Sequence, residues 1–157
     1  NKIKICQIPL SNLTNHFSMM RETFFIEGGA MNTFGNNIDF EGKKFESKMN
    51  YSILGTNIKS LLDQKILDLP NYIKIDVDGT EHLILEGADN YLINPNIKEI
   101  LIEINENFSD QKKYVFEIMK KNNFNFIWKR NNVDFIENKN LSNTFNFLFS
   151  KNNVDKY

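Results

Sequence analysis

Residues 72–104 read YIKIDVDGTEHLILEGADNYLINPNIKEILIEI, and this pattern predicts the fold. The first seven residues alternate apolar and polar, which predicts a strand that ends in two carboxylates, Asp76 and Asp78. After a glycine, residues 81–92 carry apolar side chains at helical spacing until an Asn-Pro-Asn turn ends the helix. Residues 97–104 predict a second strand. Strand, helix and strand in this order are typical of a parallel βαβ unit in an α/β protein.

The segments before this unit predict a further strand, an insertion and a helix. Residues 3–8 alternate apolar and polar, which predicts a strand. Residues 17–56 lack helical periodicity and predict a hairpin-rich insertion, because short apolar runs alternate there with glycine and asparagine. A helix over 58–66 follows, with Thr56 or Asn57 as its N-cap. The short strands predicted within the insertion are residues 24–26, 38–40 and 51–54.

The segments after the βαβ unit predict one more helix and antiparallel strands at the C-terminal end. Ser109-Asp110 can cap an amphipathic helix. Three strand-like pieces then close the chain at 124–128, 133–136 and 145–149. The sequence therefore predicts an α/β fold with a mostly parallel sheet and antiparallel C-terminal strands. We expect one domain over residues 1–150 and a loose tail over 151–157.

Composition narrows the classes of partner. The 157 residues suit one domain of roughly 100–200 residues. With 19 Lys and Arg against 20 Asp and Glu, the net charge of −1 argues against nucleic acid or an anionic membrane as the partner. No apolar stretch approaches the roughly 18 residues of a membrane span. The single cysteine, Cys6, excludes an internal disulfide, so we expect a reduced, cytoplasmic protein.

Candidate chemistry lies beyond the carboxyl ends of the strands, where open α/β sheets bind their ligands. Three carboxylates, Asp76, Asp78 and Glu81, fall within six residues there and repel one another unless a cation, a proton or a donor-rich ligand is present. They suit a divalent ion or a general base beside a hydroxyl substrate. The alternative is structural: Asp78 caps the helix and Glu81 occupies its first turn. The other loops at this edge are 10–12 and 103–106.

The acidic segment resembles the hallmark of the FkbM-type methyltransferases. In that family a strand reads roughly K-I-D-V-E-G, and here Lys74 to Gly79 read KIDVDG, with Asp78 where the family usually has Glu. The next acidic position, the later G-A pair and the late carboxylate match Glu81, Gly87-Ala88 and Glu103. Upstream, residues 58–63 resemble the family's T-L-D segment and residues 8–12 resemble its A-L-S-D strand end.

This resemblance implies the Rossmann-like fold of S-adenosylmethionine-dependent methyltransferases. It implies methyl transfer to a hydroxyl of a sugar or other small metabolite, with a small-molecule or glycan acceptor. Asp76, Asp78 and Glu81 would be the catalytic residues, with Asp76 near the sulfonium and either Asp78 or Glu81 on the acceptor side. Ser11, Asn12 and Asp76 would bind the cofactor, with Asn12 at the adenine amino group. The carboxylates could also hold a Mg²⁺ ion that lowers the pKa of the hydroxyl.

The sequence departs from the family at the cofactor motif. Such folds place the cofactor on a Gly-rich turn after the first strand, with an acidic residue at the end of the second. Neither is present, since Gly28-Gly29-Ala30 falls in the predicted hairpin region. The chain therefore resembles the family's domain from its third strand onward, truncated at the N-terminus. We expect these 157 residues alone to bind S-adenosylmethionine poorly or not at all.

Two other functions fit parts of the pattern. A metal-dependent glycosyltransferase could use Asp76-Val77-Asp78 to hold an ion that bridges a nucleotide-sugar diphosphate. A non-catalytic remnant would use the same carboxylates only for capping and solvation. The metal motif requires neither Glu81 with Gly87-Ala88 nor the later Glu103, so their presence favours the methyltransferase interpretation.

Overall fold

A computed structural model describes residues 3–23, 32–44, 46–131 and 143–152. The predicted strands at 24–26 and 133–136, Gly28-Gly29-Ala30 and residues 153–157 of the predicted tail lie outside the described residues. The described elements are, in chain order, β1 His16–Glu22, β2 Asn32–Phe34, β3 Met49–Gly55, α1 Ile58–Asp63, β4 Tyr72–Ile75, α2 Glu81–Glu86, a 3₁₀ helix Asp89–Ile93, β5 Glu99–Asn105, α3 Ser109–Lys121, β6 Asn125–Arg130 and β7 Thr144–Ser150.

The described strands form two sheets. The first is antiparallel, with the order β2-β1-β3, and it corresponds to the predicted hairpin-rich insertion. The second has the order β4-β5-β7-β6. In it β4 and β5 pair in parallel, whereas β7 is antiparallel to both of its neighbours, so β4, β5 and β6 run in one direction. The prediction of an α/β fold is confirmed. The second sheet is mixed and not mostly parallel as predicted, since among its described pairings only β4–β5 is parallel and both pairings of the C-terminal strand β7 are antiparallel.

The main core lies between the mixed sheet and the helices α2 and α3. Ile75 of β4 and Ile102 of β5 are register partners, and every second residue of β5 points the same way because side chains alternate along a strand. Burying each large apolar side chain contributes about 1.5–3 kcal/mol. The core side chains are Ile75, Ile84, Leu85, Ala88, Leu92, Ile97, Ile100, Ile102, Ile104, Val115, Met119, Phe124, Phe147 and Phe149.

Several local expectations need correction. Residues 3–8 carry a strand pattern but are not a strand, and Ile3 and Ile5 are 80% and 83% exposed. The nearby Leu10 makes an isolated bridge with Thr56, but no described strand pairs with residues 3–8, so the alternation there does not lead to a sheet. Residues 38–40 are not a strand either. The Asp39 carboxylate accepts bonds from two following backbone N–H groups, which favours a turn over a ladder.

The helix boundaries follow from capping and backbone geometry. Asn57 is the N-cap of α1, because its Oδ1 accepts a bond of 2.8 Å from the Ser60 N–H, as predicted. The predicted cap at Ser109-Asp110 is wrong, since the helix begins after Phe108 without a side-chain cap. The helix predicted over 81–92 is divided into α2 and the 3₁₀ helix, and Asp89 at the division has a φ of +48°.

Candidate functional site

Two carboxylates meet where β4 and β5 end. The parallel register pairs Ile75 with Ile102, so the next residues, Asp76 and Glu103, lie side by side. The Lys74 ammonium lies 2.6 Å from Asp76 Oδ2. Burial raises the pKa of Glu103 to about 7, and the charge of Asp76 and a hydrogen bond with its carboxyl group add to the shift. The Glu103 carboxyl group therefore titrates close to neutral pH.

A third carboxyl group, that of Glu81, is enclosed at the start of α2. Its side chain is 3% exposed, and it accepts hydrogen bonds from Gln111 Nε2 on α3 and from the Gly79 N–H, the latter at 3.4 Å. Burial raises its pKa to about 8; the backbone N–H groups counteract this effect and the nearby Asp78 adds to it. Glu81 is therefore mostly protonated at neutral pH and can donate a hydrogen bond.

A small cavity of about 40 Å³ lies at this edge of the sheet. Asn105 at the end of β5 and Thr144 at the start of β7 are register partners, and both line the cavity. Both are 4% exposed, and neither Asn105 Nδ2 nor Thr144 Oγ1 has a hydrogen-bond partner among the described residues. The cavity is lined by Phe40, Val77, Asp78, Gly79, Glu81, Glu103, Asn105, Gln111 and Thr144.

The turn at residues 39–42 covers the cavity from the side of the insertion. Gly79 has a φ of +98°, and a Cβ built on it would lie 2.6 Å from the Asp39 carbonyl oxygen. A Cβ on Gly42 would lie 2.7 Å from Cδ2 of the Phe108 ring. Because neither glycine leaves room for a side chain, the turn fits closely over the end of β4 and places Phe40 in the wall of the cavity.

The structure brings some of the predicted site residues together and separates others. Asp78 and Glu81 line the same cavity, and Asp76 adjoins it through Glu103. Asn12 instead donates a bond of 3.0 Å to Glu86 Oε2, at the other end of α2. The neighbouring Ser11 accepts a hydrogen bond from the Leu13 N–H through its Oγ, and its backbone carbonyl oxygen lies close to Gly87. Asn12 therefore contacts the end of α2 that lies about 7–8 Å along the helix axis from Glu81.

Five contributors to this site were missed or only partly identified by sequence reasoning. Glu103 was noted as a family match and as part of the candidate loop 103–106 but not as a site residue, although the parallel register places it beside Asp76. Asn105 lay in that candidate loop without an assigned role, and Gln111 and Thr144 carried no motif, because their positions depend on packing between segments far apart in the chain. Phe40 was assigned to a strand and instead lies in the covering turn.

One comparison with known proteins gives a match. The sequence profile of the Methyltransferase FkbM domain matches residues 27–136, more than two thirds of the chain. The chain therefore belongs to the FkbM methyltransferase domain family. No curated protein and no solved structure gives a match.

Neither a metal cluster nor a membrane-spanning helix is present among the described residues. Among residues 3–23, 32–44, 46–131 and 143–152, no group of three or more His, Cys, Asp or Glu side chains is arranged to hold a metal ion. Binding of a Mg²⁺ ion by Asp76, Asp78 and Glu81 stays a prediction. Within the same described part, no helix has the length and apolar character needed to cross a membrane.

The buried Glu81 gives a pH-dependent prediction for stability. Below about pH 4.5 this carboxyl group is protonated in both the folded and the unfolded chain, whereas between 4.5 and about 8 only the unfolded chain ionises it. The free energy of unfolding should therefore fall as pH rises through this window. Glu81→Gln imitates the protonated form, so we expect the variant to gain about 2–4 kcal/mol over the wild type between pH 4.5 and 8.

Urea unfolding of both proteins at half-unit pH intervals measures this difference. The wild-type and Glu81→Gln curves should meet at the acidic end of the range and separate as pH rises. Curves that stay parallel from pH 4.5 to 8 would mean that Glu81 is already ionised in the folded protein.

Proposed function

We propose that this chain forms the catalytic edge of an S-adenosylmethionine-dependent O-methyltransferase. Its acceptor would be a hydroxyl of a sugar or other small metabolite. The observation that carries the proposal is the hydrogen-bonded pair of Asp76 and Glu103, in a member of a methyltransferase family, with a pKa for Glu103 near 7. A base with such a pKa accepts a proton efficiently at neutral pH.

In the proposed methyl transfer, each acidic residue of the site would have a separate role. Glu103, supported by Asp76, takes up the proton of the acceptor hydroxyl as its oxygen becomes nucleophilic. Asp78 lines the cavity beside it and orients the acceptor. Glu81, which keeps its proton at neutral pH, contributes as a hydrogen-bond donor rather than as a base. When bound, the cofactor supplies an electrophilic methyl group.

The described residues fit the methyl-donating end of this cofactor. Among the described strands, β4 pairs only with β5, so its other edge is open, and Asp76 at its end is exposed to an incoming sulfonium cation. The cavity beside it is far smaller than the roughly 300–1,000 Å³ of typical ligand pockets, so the cofactor would lie along the open edge of β4. Adenosine binding by Ser11 and Asn12 stays a prediction.

We extend the proposal to the architecture. Residues 1–150 would form one Rossmann-like domain with the hairpin-rich segment 17–56 as an insertion. Support comes from the common direction of β4, β5 and β6 and from the position of β7 between β5 and β6. The carboxyl ends of β4, β5 and β6 therefore share one edge, which is where the acidic residues lie.

A direct assay of methyl transfer tests the proposal. The full-length protein is incubated with methyl-labelled S-adenosylmethionine and a panel of methyl glycosides and small alcohols, and S-adenosylhomocysteine and methylated products are followed by mass spectrometry. We expect turnover with hydroxyl acceptors and none when the acceptor is omitted. Release of nucleoside diphosphate from nucleotide-sugars with Mn²⁺, without any methylated product, would instead favour the glycosyltransferase.

A further inference from the structure

Two residues that line the cavity carry buried polar atoms without a hydrogen-bond partner among the described residues. Asn105 uses its Oδ1 to accept the Asn107 N–H, but its Nδ2 has no acceptor among the described residues. The hydroxyl of Thr144 is likewise without a partner there, and both side chains are 96% buried. Native proteins rarely leave such groups unpaired, because an unmade buried hydrogen bond is costly.

The position of these atoms points to a ligand and not to a packing role. Asn105 and Thr144 are register partners on adjacent strands, and both line the cavity together with Glu81 and Glu103. A cavity of about 40 Å³ has room for one or two groups of the size of a water molecule. It is too small for a sugar ring but large enough for one of its hydroxyl groups.

The charges at the cavity select the kind of group. The carboxylate of Asp78, and that of Glu103 when it is ionised, would repel a carboxylate or phosphate, whereas the protonated Glu81 adds no charge. A hydroxyl group suits the site, because its oxygen accepts the Asn105 N–H while its hydrogen is donated to a carboxylate. Thr144 can do either, since a hydroxyl both donates and accepts.

We infer that this cavity is a subsite for one hydroxyl of a polyhydroxylated acceptor, held by Asn105 and Thr144 next to the hydroxyl that receives the methyl group. The inference rests on the proposed function and specifies it further: the acceptor is a vicinal diol, as in a sugar, and not a simple alcohol. Asn105 and Thr144 then determine specificity, whereas Glu103 performs the proton transfer.

The first test is thermal and needs no acceptor. Thr144→Val keeps the shape of the side chain and removes a hydroxyl that has no partner, so we expect Tm to rise by about 2–4 °C or stay unchanged. Thr56→Val is the matched control: Thr56 is also buried, but its hydroxyl donates to Asn15 Oδ1 at 2.8 Å, so Tm should fall. A fall for Thr144→Val as large as that for Thr56→Val would show a structural hydroxyl and overturn the inference.

The second test compares acceptors that differ by one hydroxyl. Methyl glycosides and their monodeoxy analogues are used with the wild type, Asn105→Ala and Thr144→Val in the full-length protein. For the diol, each variant should lower kcat/KM by about 10-fold or more, whereas the deoxy analogue, already poor, should respond little. Equal turnover of diol and deoxy acceptors by the wild type would overturn the subsite while leaving methyl transfer intact. No turnover of any acceptor would overturn the proposed function itself, and Thr144→Val would still report whether the cavity is an open subsite.

Discussion

Glu103→Gln in the full-length protein should lower kcat for methyl transfer by about 10²–10⁴-fold, with a much smaller change in KM for the acceptor. Glutamine keeps the size and one acceptor oxygen of the side chain but cannot take up a proton. The loss should therefore fall on the chemical step and not on binding. Steady-state kinetics with S-adenosylhomocysteine as the measured product separates kcat from KM.

The pH profile distinguishes loss of a base from structural damage. In the wild type, kcat/KM should rise as pH increases through about 7, because Glu103 must be ionised to act as a base. This rise of kcat/KM with pH, the acidic limb of the profile, should disappear in Glu103→Gln. Asp76→Asn should move it to lower pH, since the neighbouring charge that helps to raise the pKa of Glu103 is removed.

Glu99→Gln serves as the matched control for this prediction. Glu99 lies on the same strand and, four residues away, on the same face of β5, but at the other end from the cavity. Its replacement should leave kcat and the pH profile unchanged. If Glu103→Gln kept wild-type kcat and the same acidic limb, a different group would be the base and the role of the Asp76–Glu103 pair would be disproved.

The sequence predicts the central part of this site because the information there is local. Apolar residues indicate β4 and β5, alternating with polar ones in residues 73–78 and forming a run in residues 100–102, and Gly79 before Glu81 indicates the turn into α2. The parallel pairing of β4 with β5 then brings Asp76 to Glu103. These features depend on a few neighbouring residues and on the handedness of one βαβ connection.

The rest of the site depends on contacts that no local pattern encodes. Gln111 reaches Glu81 across 30 residues of sequence, and Thr144 meets Asn105 only because β7 is inserted antiparallel between β5 and β6. The strand predicted at residues 3–8 does not form, for a related reason. Alternation makes a segment suitable for a sheet, but pairing needs a neighbouring strand, and in the described residues that segment has none.

Gly79→Ala should destabilise the protein by about 3–5 kcal/mol and abolish methyl transfer at the same time. Two destabilising effects add at residue 79: an unfavourable backbone conformation and a steric clash of the new Cβ. An alanine resists the φ of +98°, and its Cβ would lie 2.6 Å from the Asp39 carbonyl oxygen and 3.2 Å from Phe40 Cα. Both of these neighbours are backbone, so the turn at 39–42 must move away from the cavity. Urea unfolding gives the change in stability.

Gly35→Ala separates the two costs, because Gly35 also has a positive φ, +79°, but a Cβ there would meet only Ser18 Oγ at 3.6 Å. That control should lose only the conformational part, about 1–2 kcal/mol. The excess loss in Gly79→Ala then measures the close approach of the covering turn to the end of β4. If Gly79→Ala and Gly35→Ala lost the same free energy of unfolding, the turn at residues 39–42 would move away from the new Cβ without a measurable energetic penalty. In that case Phe40 would not be held in the cavity wall, and the closed shape of the acceptor site would need another cause.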